Sequence, residues 1–271
     1  MARARRIDGA ATVMYFYDYM TAPTPDFDLV TPDRERRRKH PAVVALRALY
    51  DWAKSLSLAL VLFFLVRAFL VEAFKIPTGS MEGTLLVGDF LLVNKLVYGA
   101  EVPLTGRRLP ALREPTVGDI LVFQWPVDPA VNFVKRLVGV PGDTLSMVDG
   151  VLFRNGKAQW EPYVSRVDPD ADPAAEEFRW QREFLVRHAT ASPSYHPSRN
   201  NWGPLEVPTK HFFVLGDNRD NSLDSRYWGF VADSLVRGSP MMVYYSFSPD
   251  SATNFDWFRR ARWQRIGERV H

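Results

Sequence analysis

Cysteine is absent from the chain, which removes disulfide scaffolds, thiolate zinc sites and a cysteine nucleophile together. The absence does not settle the compartment, because exported proteins often lack disulfides. Histidine is scarce: His40, His188, His196, His211 and His271 are the full set, and none stands in a Ser-His-Asp context. There is no Gly-x-Ser-x-Gly elbow, no His-Glu-x-x-His, no phosphate-binding loop and no Rossmann glycine pattern. Charge of one sign is also in short supply, with a net of only +3. What remains is a chain of 271 residues, 46% hydrophobic and 24% charged. That is enough for one sizeable domain or two small ones, and it excludes disorder throughout. Twenty prolines, sixteen glycines and eighteen phenylalanines favour a turn-rich fold with aromatic strands.

Long apolar runs are limited to one. It starts at Ser55, is uninterrupted to Val66, and continues past Arg67 and Glu72 to Phe74. As a helix it would be about 30 Å long, at about 1.5 Å per residue, which matches a bilayer core. Seven Lys or Arg residues stand among the 21 residues from Arg34 to Lys54, the distribution the positive-inside rule describes. A buried core helix would need no such flank, and a cleaved signal segment would lie nearer the start. The expectation is one transmembrane helix at 55–74, with a basic tail at 1–54 in the cytoplasm and the rest outside. Topology then accounts for the basic cluster, which is not needed to bind nucleic acid. Residues 1–40 carry an aromatic patch, Met14–Met20, in what reads as a loosely ordered tail.

Beyond Phe74 the hydrophobic period changes to two. Gly88-Asp89, Gly118-Asp119 and Gly142-Asp143 each precede a strand-like run, and Asp149-Gly150 and Asn155-Gly156 are hairpin signals. The expected fold is mainly antiparallel β, with a catalytic domain at 75–155 and 209–250. A polar, proline-rich stretch at 156–208 reads as an inserted smaller subdomain. The C-terminal segment 251–271 mixes arginines with Trp257 and Trp263. It suits either a bilayer surface or a plain solvated helix.

Three stretches have chemical potential. In Pro77-Thr-Gly-Ser-Met81, Pro77 and Gly79 would turn the chain and expose Ser80 just beyond the span. A serine beside glycine and proline is also an ordinary turn residue. In Asn132–Asp143 a strand pattern sets Phe133, Lys135 and Leu137 on one face and Val134, Arg136 and Val138 on the other. One of the two cations must then lie in or beside apolar surface. Arginine keeps its proton there, whereas a desolvated lysine can lose it and become a general base. A snorkelling lysine on an edge strand would fit the same pattern. The third stretch, Gly216–Gly229, is dense in polar groups between apolar strands and can brace a site through pairs such as Asp224 with Arg226. Its spacing does not match a calcium loop, and its arginines argue against a cation.

In this order the boxes Pro-Thr-Gly-Ser-Met, Gly-Asp-Phe-Leu-Leu-Val-Asn-Lys-Leu-Val-Tyr-Gly, Val-Lys-Arg-Leu-Val-Gly-Val-Pro-Gly-Asp and Gly-Asp-Asn-Arg-Asp-Asn-Ser-Leu-Asp-Ser-Arg-Tyr-Trp-Gly resemble those of type I signal peptidases, from about Val71 to Val243. These are membrane-anchored Ser/Lys proteases that remove signal peptides from exported proteins. The resemblance implies Ser80 as nucleophile and Lys135 as general base, with the Ser80 N–H and the Thr78 hydroxyl holding the oxyanion. Ser222 would hydrogen-bond the Lys135 amine, and Asp224 and Arg226 would brace the site. By position, Phe74, Ile76, Met81, Leu85, Phe133 and Val134 would line shallow pockets for Ala-x-Ala cleavage sites, with core packing as the alternative for each.

The resemblance further implies preprotein substrates, contact with the lipid bilayer, proximity to the secretion translocon, and no metal or cofactor. The chain departs from the pattern at Thr78, commonly serine, and at Gly83, usually proline. Rival readings are a related Ser/Lys protease, such as an organellar inner-membrane peptidase or a self-cleaving repressor, and a non-catalytic membrane-anchored β scaffold. A repressor would need a helix-turn-helix, which residues 1–54 lack. A scaffold would have no reason to keep both Ser80 and Lys135 in full boxes.

Overall fold

The computed structural model describes residues 41–103, 105–168, 170–186, 195–248 and 260–271. The aromatic patch at 14–20 and Trp257 lie outside them. The chain divides into two compact units, Met1–Ser55 and Leu56–His271.

Helix α1 runs over Pro41–Leu65. Proline opens it at the position where the missing N–H costs nothing. One wider turn, Val66–Leu70, closes it through a bond from the Val71 N–H to the Val66 carbonyl. Ala42–Leu70 is long and apolar enough to cross a membrane, and none of its most apolar window is buried by protein. The expected span of 55–74 therefore needs correction at both ends. Val71–Lys75 is strand β1, because it pairs with β2 (Asp89–Asn94) in the register Val71↔Asn94 to Lys75↔Phe90. Glu72, which interrupts the apolar run, sits 3.3 Å from Lys95.

The remaining strands are β3 (Ile120–Gln124), β4 (Asn132–Gly139), β5 (Thr144–Val148), β6 (Val151–Arg154), β7 (Lys157–Ala158), β8 (Trp202–Glu206), β9 (His211–Leu215), β10 (Val231–Ala232) and β11 (Val236–Ser246). They form two antiparallel sheets, seven-stranded β1-β2-β11-β3-β4-β9-β10 and four-stranded β7-β6-β5-β8. Asp149, Gly150, Asn155 and Gly156 all have positive φ, as the two hairpin turns require.

The second sheet changes the expected boundary of the insertion. It begins at Thr144, and β8 returns from the polar stretch to pair with β5, Leu145 opposite Leu205. Leu145, Met147 and Leu205 share one core with Phe213 and Leu215 of β9. Residues 156–208 are therefore not a separately packed body. The C-terminal segment departs from the expected solvated helix. Residues 260–271 include no extended helix and bond along β11, Gly267 N–H to Val243 O at 2.8 Å and Val270 N–H to Met241 O at 3.1 Å.

Candidate active site

Ser80 sits in a single 3₁₀ turn, Gly79–Met81, between β1 and β2. The turn is held from outside: Asn218 donates its backbone N–H to Ser80 O and its side-chain amide to Gly79 O. Three residues on, Gly83 has φ +106°, a value closed to proline, whose ring fixes φ near −65°. That explains the departure from the family pattern.

Lys135 comes from the middle of β4, and its Nζ lies 2.6 Å from Ser80 Oγ. Its other partner is the Val134 carbonyl, at 3.1 Å. Both side chains are buried, with Ser80 7% and Lys135 4% exposed. Burial pulls the ammonium pKa down to about 8, with Asp224 and Asp217 pulling back and Arg226 adding to the fall. Roughly one amine in ten is then neutral at pH 7. A neutral amine this close accepts the serine proton, so the pair can generate an alkoxide nucleophile. The Thr78 hydroxyl is 3.4 Å from Ser80 Oγ.

Ser222 does not make the expected bond to Lys135. Its Oγ is buried and has no hydrogen bond of normal geometry, although it lies close enough to favour the Asp224 carboxylate. It is pressed against Gly216, where a Cβ would fall 2.1 Å from that Oγ and 2.5 Å from Ser80 O. Asp224 and Arg226, both wholly buried, form the expected fork, Nε to Oδ1 and Nη2 to Oδ2 at 2.8 Å each. Burial raises the Asp224 pKa, but the Arg226 charge and hydrogen bonds outweigh it and hold the carboxylate below its usual range. Arg226 also donates to Arg219 O at 2.7 Å.

Arg136, the neighbouring cation of β4, is buried as well. It forks onto Asp217 at 2.8 and 2.7 Å and lies 3.8 Å from the centre of the Tyr163 ring. Asp217 in turn accepts from Thr84 Oγ1 at 2.6 Å. Arg219 forks onto Glu161. Sequence reasoning left Asp217, Asn218, Arg219 and Glu161 without roles. The signal for the first three was the polar density of Gly216–Gly229; nothing marked Glu161, which lies in the supposed insertion.

Of the six expected pocket residues, Ile76, Met81 and Leu85 are core, 4%, 1% and 1% exposed, packed with Leu91, Val93 and Val243. Their burial fits the core-packing alternative on the segment that carries Ser80. Phe74, Phe133 and Val134 are only partly buried. Among the described residues no group of acids and histidines is arranged to hold a metal ion.

A serine hydroxyl against a buried lysine whose pKa is pulled down, in a β fold that follows a helix of membrane length, is the arrangement of a serine peptidase. Residues 49–245 match the family described as signal peptidase, peptidase S26. Similar relatives include signal peptidase I of Pseudomonas fluorescens, 35% identical over 83% of this chain and 81% of its own length. Signal peptidase I of Pseudomonas aeruginosa is 35% identical with the same shares covered. Signal peptidase I of Aquifex aeolicus is 33% identical, over 69% of this chain and 81% of its own length. The chain belongs to the signal peptidase family, peptidase S26.

Proposed function

We propose that this chain cleaves signal peptides from exported preproteins, with Ser80 as nucleophile and Lys135 as general base. The observation that carries the reading is the 2.6 Å approach of a buried lysine amine to a serine hydroxyl. Neutral Lys135 takes the Ser80 proton as Oγ attacks the scissile carbonyl. The ammonium then gives that proton to the departing amine, leaving an acyl-enzyme and the mature protein. Water, deprotonated by the same amine, releases the signal peptide and restores the serine. The Ser80 N–H and the Thr78 hydroxyl stabilise the oxyanion. Asp224 and Arg226 keep the base in position without touching substrate. Ser222 would engage the amine once substrate orders the site.

Two strand edges support extended binding of the substrate. β1 pairs only with β2, and β4 pairs with β9 only from Arg136 onward, so Asn132–Lys135 has an open side. Phe74, Phe133 and Val134 flank these edges and would favour small side chains, as in Ala-x-Ala sites. The basic tail would be cytoplasmic, α1 would span the inner membrane, and the catalytic domain would meet preproteins leaving the translocon on the outer side.

The test is cleavage of a reporter preprotein in detergent by the wild type, Ser80→Ala and Lys135→Met. Both variants are expected to be folded, with rates at least about 1,000-fold lower. Full activity in either overturns the assignment.

A further inference from the structure

A cleft of about 960 Å³ lies away from the dyad and has no part in the peptidase chemistry. Its walls include Val140, just past the end of β4 and five residues beyond Lys135, or about 16 Å for extended chain. Its size falls in the range of small-molecule sites. The apolar wall is formed by Tyr98, Leu109, Val117, Val140, Pro141 and Phe212. Arg108, Arg113, Arg154 and Lys210 also line it, against Glu114 and Asp233.

Those cations differ in how far they are committed. Arg113 forks onto Asp119, and Arg154 lies 3.3 Å from Asp143. Arg108 spends its donors on the backbone carbonyls of Asp233, Ser234 and Val236. Lys210 is exposed and has no ion-pair partner among the described residues. The cleft thus combines an exposed ammonium without an ion-pair partner, three guanidinium groups and an apolar wall. A phosphate joined to an acyl chain has that division of chemistry.

The position of the cleft favours the same class of occupant. A smaller cavity of about 290 Å³ adjoins it, sharing Arg108 and Val236, and is lined by Ala68 from the last turn after α1 and by Lys95. Lys95 donates its N–H to Leu70 O, while Leu112 and Arg113 donate theirs to Val97 O. The smaller cavity thus links the cleft to the turn that ends the membrane-length helix, and Leu112, the residue before Arg113 of the cleft, is 73% exposed.

We infer that this cleft binds a phospholipid, its phosphate held by Lys210 and the neighbouring arginines and one acyl chain laid along Leu109, Val117, Val140 and Phe212. The inference rests on the reading of α1 as a membrane span. It adds to the peptidase a lipid site distinct from the substrate cleft.

The test uses the full chain reconstituted in phosphatidylcholine vesicles. One sample carries a trace of phosphatidylglycerol with a photoactivatable acyl chain. A second carries a diacylglycerol with the same chain and no phosphate. Labelled peptides are then mapped. Phosphatidylglycerol is expected to label 105–117 or 210–236 at least fivefold more than diacylglycerol does. Lys210→Glu should remove that preference, and Val117→Trp, which fills the trough, should abolish labelling by either probe. Equal labelling by the two probes, or labelling unchanged in both variants, overturns the site while leaving the peptidase intact. A chain that does not float with the vesicles overturns the membrane reading and this inference with it.

Discussion

Lys135 imposes a cost on the fold that its chemistry explains. A lysine buried at 4% exposure with its pKa held near 8 binds its proton less tightly in the folded chain than in the unfolded one, where the value is about 10.4. Below pH 8 both states are protonated and the full penalty, roughly 3 kcal/mol, is borne by the fold. As pH rises from about 8 to about 10.4 the unfolded state loses its proton too, and the penalty fades. Lys135→Met should therefore melt several degrees above the wild type at pH 7, with the gap closing toward pH 10.4 in thermal denaturation. At Thr78 the prediction concerns rate. Thr78→Ser should retain most activity, while Thr78→Val, which keeps the shape and removes the donor, should lower kcat by about 100-fold or more with KM little changed. Ser80 and Lys135 were legible as candidates because family boxes mark them directly. Their partners were less so: a list of box residues does not say that Ser222 would lack a bond to the amine or that Arg136 would fork onto Asp217.

The loop Gly216–Gly229 works as one element because its charges neutralise one another in the interior. Arg226 and Asp224 are both inaccessible to water, so removing one partner strands the other. Arg226→Met should cost about 3–5 kcal/mol of stability, and pairing it with Asp224→Leu should recover much of that loss. Denaturant titration of the single and double variants measures both values. Gly216 is the point where this loop meets the nucleophile turn. Gly216→Ala should depress kcat by about 100-fold or more, because its Cβ must displace either Ser222 or the Ser80 carbonyl. Period-two patterning and the Asp-Gly and Asn-Gly turns made the strands and hairpins readable. The second sheet was not, since polarity and proline content mark 156–208 as different, yet they say nothing of β8 returning to pair with β5. The helix end was misplaced for a related reason: Val71, Ala73 and Phe74 continue the apolar run past Glu72, and only pairing with β2 makes the segment a strand.

For the whole molecule, an exposed apolar helix is joined to a domain that carries its own core. Leu58, Leu62, Phe63 and Phe64 of α1 are 56–69% exposed, a surface that suits a lipid surrounding. A charge in that stretch, such as Leu62→Arg, should reduce membrane insertion in a flotation assay, at a cost of about 2.5–3.5 kcal/mol, without shifting the melting of the domain. The C-terminal segment belongs to the domain as well. Arg265 reaches Asp89, buried at the start of β2, at 2.8 Å, and Arg136 donates to His271 O at 3.2 Å. The basic composition of 251–271 therefore has an internal use at these positions, which a reading based on lipid or solvent did not anticipate.

If Lys135 is the base for Ser80, kcat/KM for preprotein cleavage by the full chain rises with unit slope toward a plateau, bending at a value near 8 set by the free enzyme's amine. A Lys135→Met variant then shows no such rise. A profile flat from pH 6 to 10, or a Lys135→Met variant within tenfold of wild type at pH 7, removes Lys135 from that role.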